Sequence, residues 1–314
     1  MKTRPLQPLA NPSDPRPAVD IAVQRAEASL HELQQALQRT RKSAGRDARS
    51  IHRLRVSARR GLAILTLVEP VLDPKQFVKT CRLLRRIARA ARPVRDLDAV
   101  LHRIEDWPAS KPLELWTRSL KKERACEAES LCNAIDGWLE GKKIRRRARR
   151  LVQHSKCLAA ETAPRPGEPP FPVWAAQRWL VWVEVQCQHS PSVDDSHGLH
   201  AFRLSGKQIR YAMEYLSGMF AKSYRGQLQT QLRKQQEQLG EINDLSALVA
   251  KLRLNAEAAD CLNTAAVWEG YLRSSQKELQ KLRHRAAKRL TPESLLEFRN
   301  LCREALRESL GALP

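Results

Sequence analysis

Shifting the sequence by 148 positions lays His52 on His200, Arg55 on Arg203, Ser57 on Ser205, Arg59 on Lys207 and Asp96 on Asp244. The same shift pairs Leu97 with Leu245, Ala99 with Ala247 and Arg103 with Lys251. One gap-free offset joining two separate tracts implies an internal duplication, so whatever one half folds into, the other repeats. Shared helical composition produces chance likeness, but it does not easily pair a histidine, an acid and several cations at one offset.

The repeated unit reads as helical. Only 12 glycines occur in 314 residues. Alternating β-branched runs are few, and Leu, Ala, Arg, Gln and Glu abound. Helical patterns run over roughly 18–42, 46–69, 74–105, 110–140 and 142–160, then 173–189, 196–220, 222–254, 256–288 and 292–311. Pro74 and Pro292 suit first helical positions. Residues 161–172 hold five prolines and a glycine and read as a linker, while 1–17 read as a disordered tail. The expectation is an all-α chain with a first helical half at 18–160 and a second at 173–314. Trp174, Trp179 and Trp182 read as core rather than as a base-stacking platform.

A 42% hydrophobic content supplies a core, while 29% charged residues suit a chain outside the bilayer. The most apolar stretch, Trp174 to Val185, contains Gln177, Arg178 and Glu184 and is too short to span. The first residues lack the apolar segment of a signal peptide. Seven scattered cysteines without a C-x-x-C fit a reducing cytoplasm better than a disulfide or zinc framework. The net charge is +22, and residues 1–160 carry 35 basic against 17 acidic groups. Such an excess repels itself unless an anionic partner offsets it.

The cations fall in stripes. His200, Arg203, Lys207 and Arg210 recur at i, i+3, i+7 and i+10, one helix face. His52, Arg55 and Arg59 form the matching stripe, flanked by Arg49, Arg53 and Arg60. Like charges at this spacing each cost a helix roughly 0.2–0.5 kcal/mol, so the stripes do not serve folding unless acids from other helices pair with them. From Lys75 to Arg95 eight bases occur with no acid between them. Phe77, Cys81, Leu84, Ala88 and Ala91 form the expected buried stripe there. Lys75, Lys79, Arg82, Arg86 and Arg89 form a cationic ridge on another face. Arginine's planar fork suits phosphate oxygens. A third basic block, Lys142 to Arg150, goes all round its helix and reads equally as a patch or a solvated helix.

These residues resemble the CHAD family, the conserved histidine α-helical domain. The likeness rests on His52 to Arg60 and Arg95-Asp96-Leu97-Asp98, and on His200 to Tyr211 and Leu239 to Asp244. It covers about residues 18 to 311. The resemblance implies two pseudo-symmetric four-helix-bundle halves, with long basic helices lining a central groove or pore. It implies binding of inorganic polyphosphate and association with polyphosphate granules in the cytoplasm. By position, His52, Arg55, Arg59, His200, Arg203, Lys207 and Arg210 carry over as ligand contacts. Arg60, Lys79, Arg82, Arg86 and Arg89 join them from periodicity. Asp96 and Asp244 are expected to orient a cation or cap a helix. The histidines are read either as donors to phosphate or as packed side chains bonded to backbone. The halves differ: Arg60, Arg89 and Arg92 lie opposite Gln208, Glu237 and Gly240, and Leu62 lies opposite Arg210, so the second wall is weaker.

Enzyme signatures are missing from the sequence. There is no His-Asp dipeptide, no Arg-His-Gly, no phosphate-binding G-x-x-x-x-G-K-[ST] loop and no G-x-S-x-G elbow. The expectation is therefore noncatalytic binding, with no cofactor, no metal and no membrane. The alternative is a basic helical protein that binds nucleic acid, since the same charge attracts DNA or RNA. The stripes lack the exposed aromatics of a single-strand platform.

Overall fold

A computed structural model describes residues 18–161, 171–220 and 222–311. The expected tail and most of the expected linker lie outside the described residues. Among the described residues there are eleven α-helices and no strand. The first half holds α1 (Ala18–Lys42), α2 (Ala48–Leu67), α3 (Pro74–Ala90), α4 (Arg92–Ile104), α5 (Lys111–Leu139) and α6 (Lys143–Glu161). The second holds α7 (Phe171–Cys187), α8 (Ser196–Tyr215), α9 (Lys222–Glu257), α10 (Leu262–Ala287) and α11 (Pro292–Gly311).

Local chemistry sets the repeat's boundaries. Asp47 caps α2 by accepting from the backbone N–H groups of Arg49 and Ser50, and Asp195 caps α8 by accepting from that of His197. Each satisfies amide donors that a helix start leaves unpaired. The 148-residue shift carries both ends of α2 onto those of α8, and the 3-10 turn Glu69–Val71 onto Ser217–Met219.

One expected helix is broken. The pattern over 74–105 is two helices meeting at Ala91, because Pro93 opens α4 without an N–H and its ring would crowd the preceding turn. Its counterpart is Glu241, and α9 runs unbroken through that point. The buried arc of α3 is also rotated. Cys81, Leu84 and Ala91 are buried as expected, but Gln76, Thr80 and Ile87 are buried too, while Phe77 and Ala88 are only partly covered. Thr80 tolerates burial because its hydroxyl donates to the carbonyl of Gln76 at 2.7 Å.

Packing follows the repeat. α1 packs on α2 and α6, α2 on α3, and α4 on α5; in the second half α7 packs on α8 and α11, α8 on α9, and α9 on α10. Between halves, α2 touches α8 and α7, α1 touches α7, and α4 touches α9. Two apolar cores result, and each draws on both halves. One gathers Leu30, Ile51, Leu54, Trp179, Tyr215 and Leu306. The other joins Leu97 and Val100 of α4 to Phe202 of α8, Leu245 of α9 and Trp268 of α10. At about 1.5–3 kcal/mol for each large side chain removed from water, this sharing ties the halves together. Trp179 is fully buried with its indole N–H donating to the Ile209 carbonyl at 2.9 Å, and Trp174 and Trp182 pack against the same core.

Candidate functional site

The contact between α2 and α8 brings the two cationic stripes face to face. A cavity of about 340 Å³ between them is lined by His52, Arg55 and Arg59 from α2 and by Arg203, Lys207 and Arg210 from α8. A second, of about 640 Å³, shares Arg55, Arg59, Lys207 and Tyr211 with it and adds Arg85, Arg89 and Arg92. A third, of about 260 Å³, holds His200 and Arg283 and shares Arg203 and Asn243 with the first. The shared walls make one groove across the interface of the halves.

Its cations are crowded and half-dry. Burial and the charges of Arg203, Arg59, Arg55 and Arg210 push the Lys207 ammonium down to about 7. Arg203 is 8% exposed, and its Nε has no hydrogen-bond partner among the described residues. Burial lowers its pKa, and Arg55 adds to this; Asp244 offsets part of it. Burial lowers the pKa of Arg55 and of Arg59, and neighbouring guanidiniums add to it, Arg59 and Arg92 at Arg55, Arg203 and Arg92 at Arg59. Desolvation in a field of like charge disfavours every one of these ions.

The paired histidines sit in different settings. The ring of His200 bonds through Nδ1 to the Asn243 side-chain oxygen at 3.3 Å, and the Asn243 amide donates to Asp244 at 3.2 Å. Asp244 thus orients the amide that orients the histidine. The counterpart of Asn243 is Arg95, which faces His52 and, after burial, does most to lower its pKa. The His200 pKa is lowered as well, mainly by burial. Asp96 accepts from Arg92 Nε at 3.1 Å in a largely exposed i, i+4 pair.

Other expected contacts are placed differently. Arg60 reaches across the interface to Glu214 at 2.8 Å, and Arg210 pairs with the other oxygen of the same carboxylate. Their guanidiniums lie over the Tyr211 ring, 5.8 Å and 4.5 Å from its centre. Both thus have a counter-ion in Glu214, while the Nε of each has no hydrogen-bond partner among the described residues. Lys79, Arg82 and Arg86 are exposed on α3 and line none of these cavities. Arg85 and Arg89 of α3 and Arg92 of α4 line the larger cavity; Arg89 belongs to the ridge read from the sequence, whereas Arg85 and Arg92 lie beside it.

Sequence reasoning also missed Glu214, Tyr211 and Gln236. Glu214 stands where the first half has Thr66, so the duplication gives no signal for it. Gln236 is 7% exposed, lines the groove, and leaves both side-chain polar atoms without partners among the described residues. Its amide is a ready donor for an anion. Among the described residues, no three His, Cys, Asp or Glu side chains converge as a metal site, and no helix is long and apolar enough to cross a membrane.

Residues 24–253 match the family model of the CHAD domain. The crystal structure of the CHAD domain from the plant Ricinus communis superposes with a TM-score of 0.63 at 20% identity, covering 100% of this chain and 98% of that one. PptA from Streptomyces chartreusis gives a TM-score of 0.54 at 20% identity, with 94% and 100% covered. No curated protein matches the chain. At these identities the solved structures speak for the fold alone.

Proposed function

Starting from the premise that this chain belongs to the CHAD family, we propose that it binds inorganic polyphosphate in the groove between α2 and α8 and does not turn it over. The observation that carries this reading is the quartet Arg55, Arg59, Arg203 and Lys207. Four cations from two facing helices share one partly desolvated space, and none forms a salt bridge among the described residues. A flexible chain carrying a charge on every unit supplies the missing counter-ions. His52, His200 and Gln236 add neutral hydrogen-bond donors along its path. The reading treats 18–160 and 173–314 as two repeats of one pseudo-twofold unit, supported by the repeated contacts and the shared cores.

Polyphosphate is favoured over nucleic acid by the aromatic content of the groove. Tyr211 is the aromatic ring on its walls, and Arg60 and Arg210 cover it. A base would find no open face for stacking. Association with polyphosphate granules follows from the same affinity. The test is a competition assay with labelled polyphosphate at physiological salt. DNA or RNA at equal phosphate concentration should leave the complex intact; displacement there would replace this reading with nucleic-acid binding.

A further inference from the structure

The charge of the first half is not spent in the groove. On α3, Lys75, Lys79, Arg82 and Arg86 are all exposed and line none of its cavities. At 100° per residue they form a crest next to the arc of Arg85 and Arg89, which faces the groove. α6 packs on the other flank of α3, where Arg147 donates to the Gln76 side chain at 3.3 Å. The α6 wheel has a clear orientation. Arg145 bonds Gln34 and Lys156 pairs with Asp20, both on α1, so that side of α6 faces α1. Arg147 and Arg150 lie on the opposite side, next to α3. Burial and the neighbouring charge of Arg150 lower the pKa of Arg147.

A band of cations therefore runs from the groove, over the crest of α3, to the near flank of α6. The crest alone spans about 16 Å from Lys75 to Arg86. No acid interrupts α3, and α6 has none before its final Glu161. The second half keeps little of the band. The counterparts of Lys75, Lys79 and Arg82 are Ser223, Gln227 and Thr230, those of Arg147 and Arg150 are Leu295 and Phe298, and Arg86 alone of these has a cation opposite it, Lys234. A solvated face would not need to be so free of acids, since surface helices ordinarily interleave both signs.

We infer that this outer band of α3 and α6 is a second polyphosphate-holding surface, continuous with the groove, which engages chains too long for the groove alone. The inference rests on the function proposed above. It makes the protein selective for chain length. A short chain meets only the groove, whereas the free end of a long one is delivered to the band at high effective concentration.

The experiment compares tripolyphosphate with long-chain polyphosphate, using the full chain and three variants. The outer variant carries Lys79→Ala, Arg82→Ala, Arg86→Ala and Arg150→Ala; these side chains are exposed, so folding should persist, and circular dichroism checks it. The groove variant carries Arg55→Ala and Arg59→Ala. The third, Lys281→Ala with Lys288→Ala, Arg253→Ala and Lys277→Ala, removes as many cations from second-half helices. Affinity and the number of phosphates occluded per protein are read by titration. The outer variant should keep the tripolyphosphate affinity of the wild type, lose tenfold or more for the long chain, and occlude fewer phosphates. The groove variant should lose both ligands, and the third variant should lose neither. Equal losses from the outer and third variants would overturn the band in favour of net charge. No loss from the outer variant would overturn it as well. If the wild type binds neither phosphate polymer, the proposed function itself fails, a result distinct from failure of the band.

Discussion

Replacing Lys207 with arginine should remove most of the pH dependence of polyphosphate binding above neutrality. In the free protein the Lys207 pKa is pushed down to about 7, so near neutrality about half the molecules carry an uncharged amine. A phosphate chain beside it offsets Arg55, Arg59, Arg203 and Arg210 and returns the ammonium toward its ordinary range. The charged fraction of free protein falls from about nine-tenths one pH unit below that value to about one-tenth one unit above. If the charged form alone binds, affinity falls about tenfold across those two units, or about 1.4 kcal/mol. His52 and His200, whose pKa values are lowered, are already neutral through the upper part of that range and add proton uptake at its acid end. Folding stability runs the other way. The folded pKa lies below the unfolded one, so between about 7 and about 10.5 the unfolded chain binds the extra proton and stability rises with pH. Calorimetry in buffers of different ionisation enthalpy measures the proton taken up on binding. The wild type should take up close to one proton on the alkaline side of neutrality, and Lys207→Arg close to none. A wild type with pH-independent affinity, or an arginine variant with the same slope, would refute the reasoning.

Other expectations are quickly checked. Gly206→Ala would place a Cβ 2.4 Å from the Gln236 amide nitrogen, the movable end of that side chain, so the amide should swing away and, with alanine's helix propensity set against the shift, stability should change by no more than about 1 kcal/mol in denaturant unfolding. Adding Gln236→Ala should remove the clash altogether, since the first half carries Ala58 and Ala88 at the equivalent positions. Asp47→Ala and Asp195→Ala should each cost about 1 kcal/mol through the lost helix cap, leaving groove affinity nearly unchanged. Incubation with polyphosphate and magnesium or manganese should release no phosphate beyond the protein-free control; sustained turnover that copurifies with the protein would defeat the binding reading.

The fold was legible because duplication and helical periodicity are both written in spacing. The shift that pairs His52 with His200 also pairs the ends of α2 and α8, and Pro74 and Pro292 mark starts that the structure keeps. The break at Ala91 was overlooked although Pro93 announces it; only the comparison with Glu241 shows why one half kinks and the other does not. In the groove, the stripes of α2 and α8 could be read because they repeat. Glu214 could not, since it belongs to one half and acts through a partner, Arg60, 154 residues away. The phase of α3 was misjudged for a different reason. Gln76 and Thr80 are polar residues that the core accepts once Thr80 bonds its own helix, so hydrophobicity alone placed the buried arc too far round. Arg85 and Arg92 then fell off the chosen ridge although they face the groove.

The central claim is that the quartet on α2 and α8 makes the site. It is tested by the salt dependence of polyphosphate binding in the wild type and in a variant with Arg55, Arg59, Arg203 and Lys207 all replaced by alanine. With about eight neutralised phosphates at roughly −0.7 each, the wild-type slope of log affinity against log salt should lie near −5 to −6. Four lost contacts should bring it near −3, with a large loss of affinity and a folding stability that holds or rises as like-charge repulsion is relieved. An unchanged slope and affinity in a folded quartet variant would contradict the account.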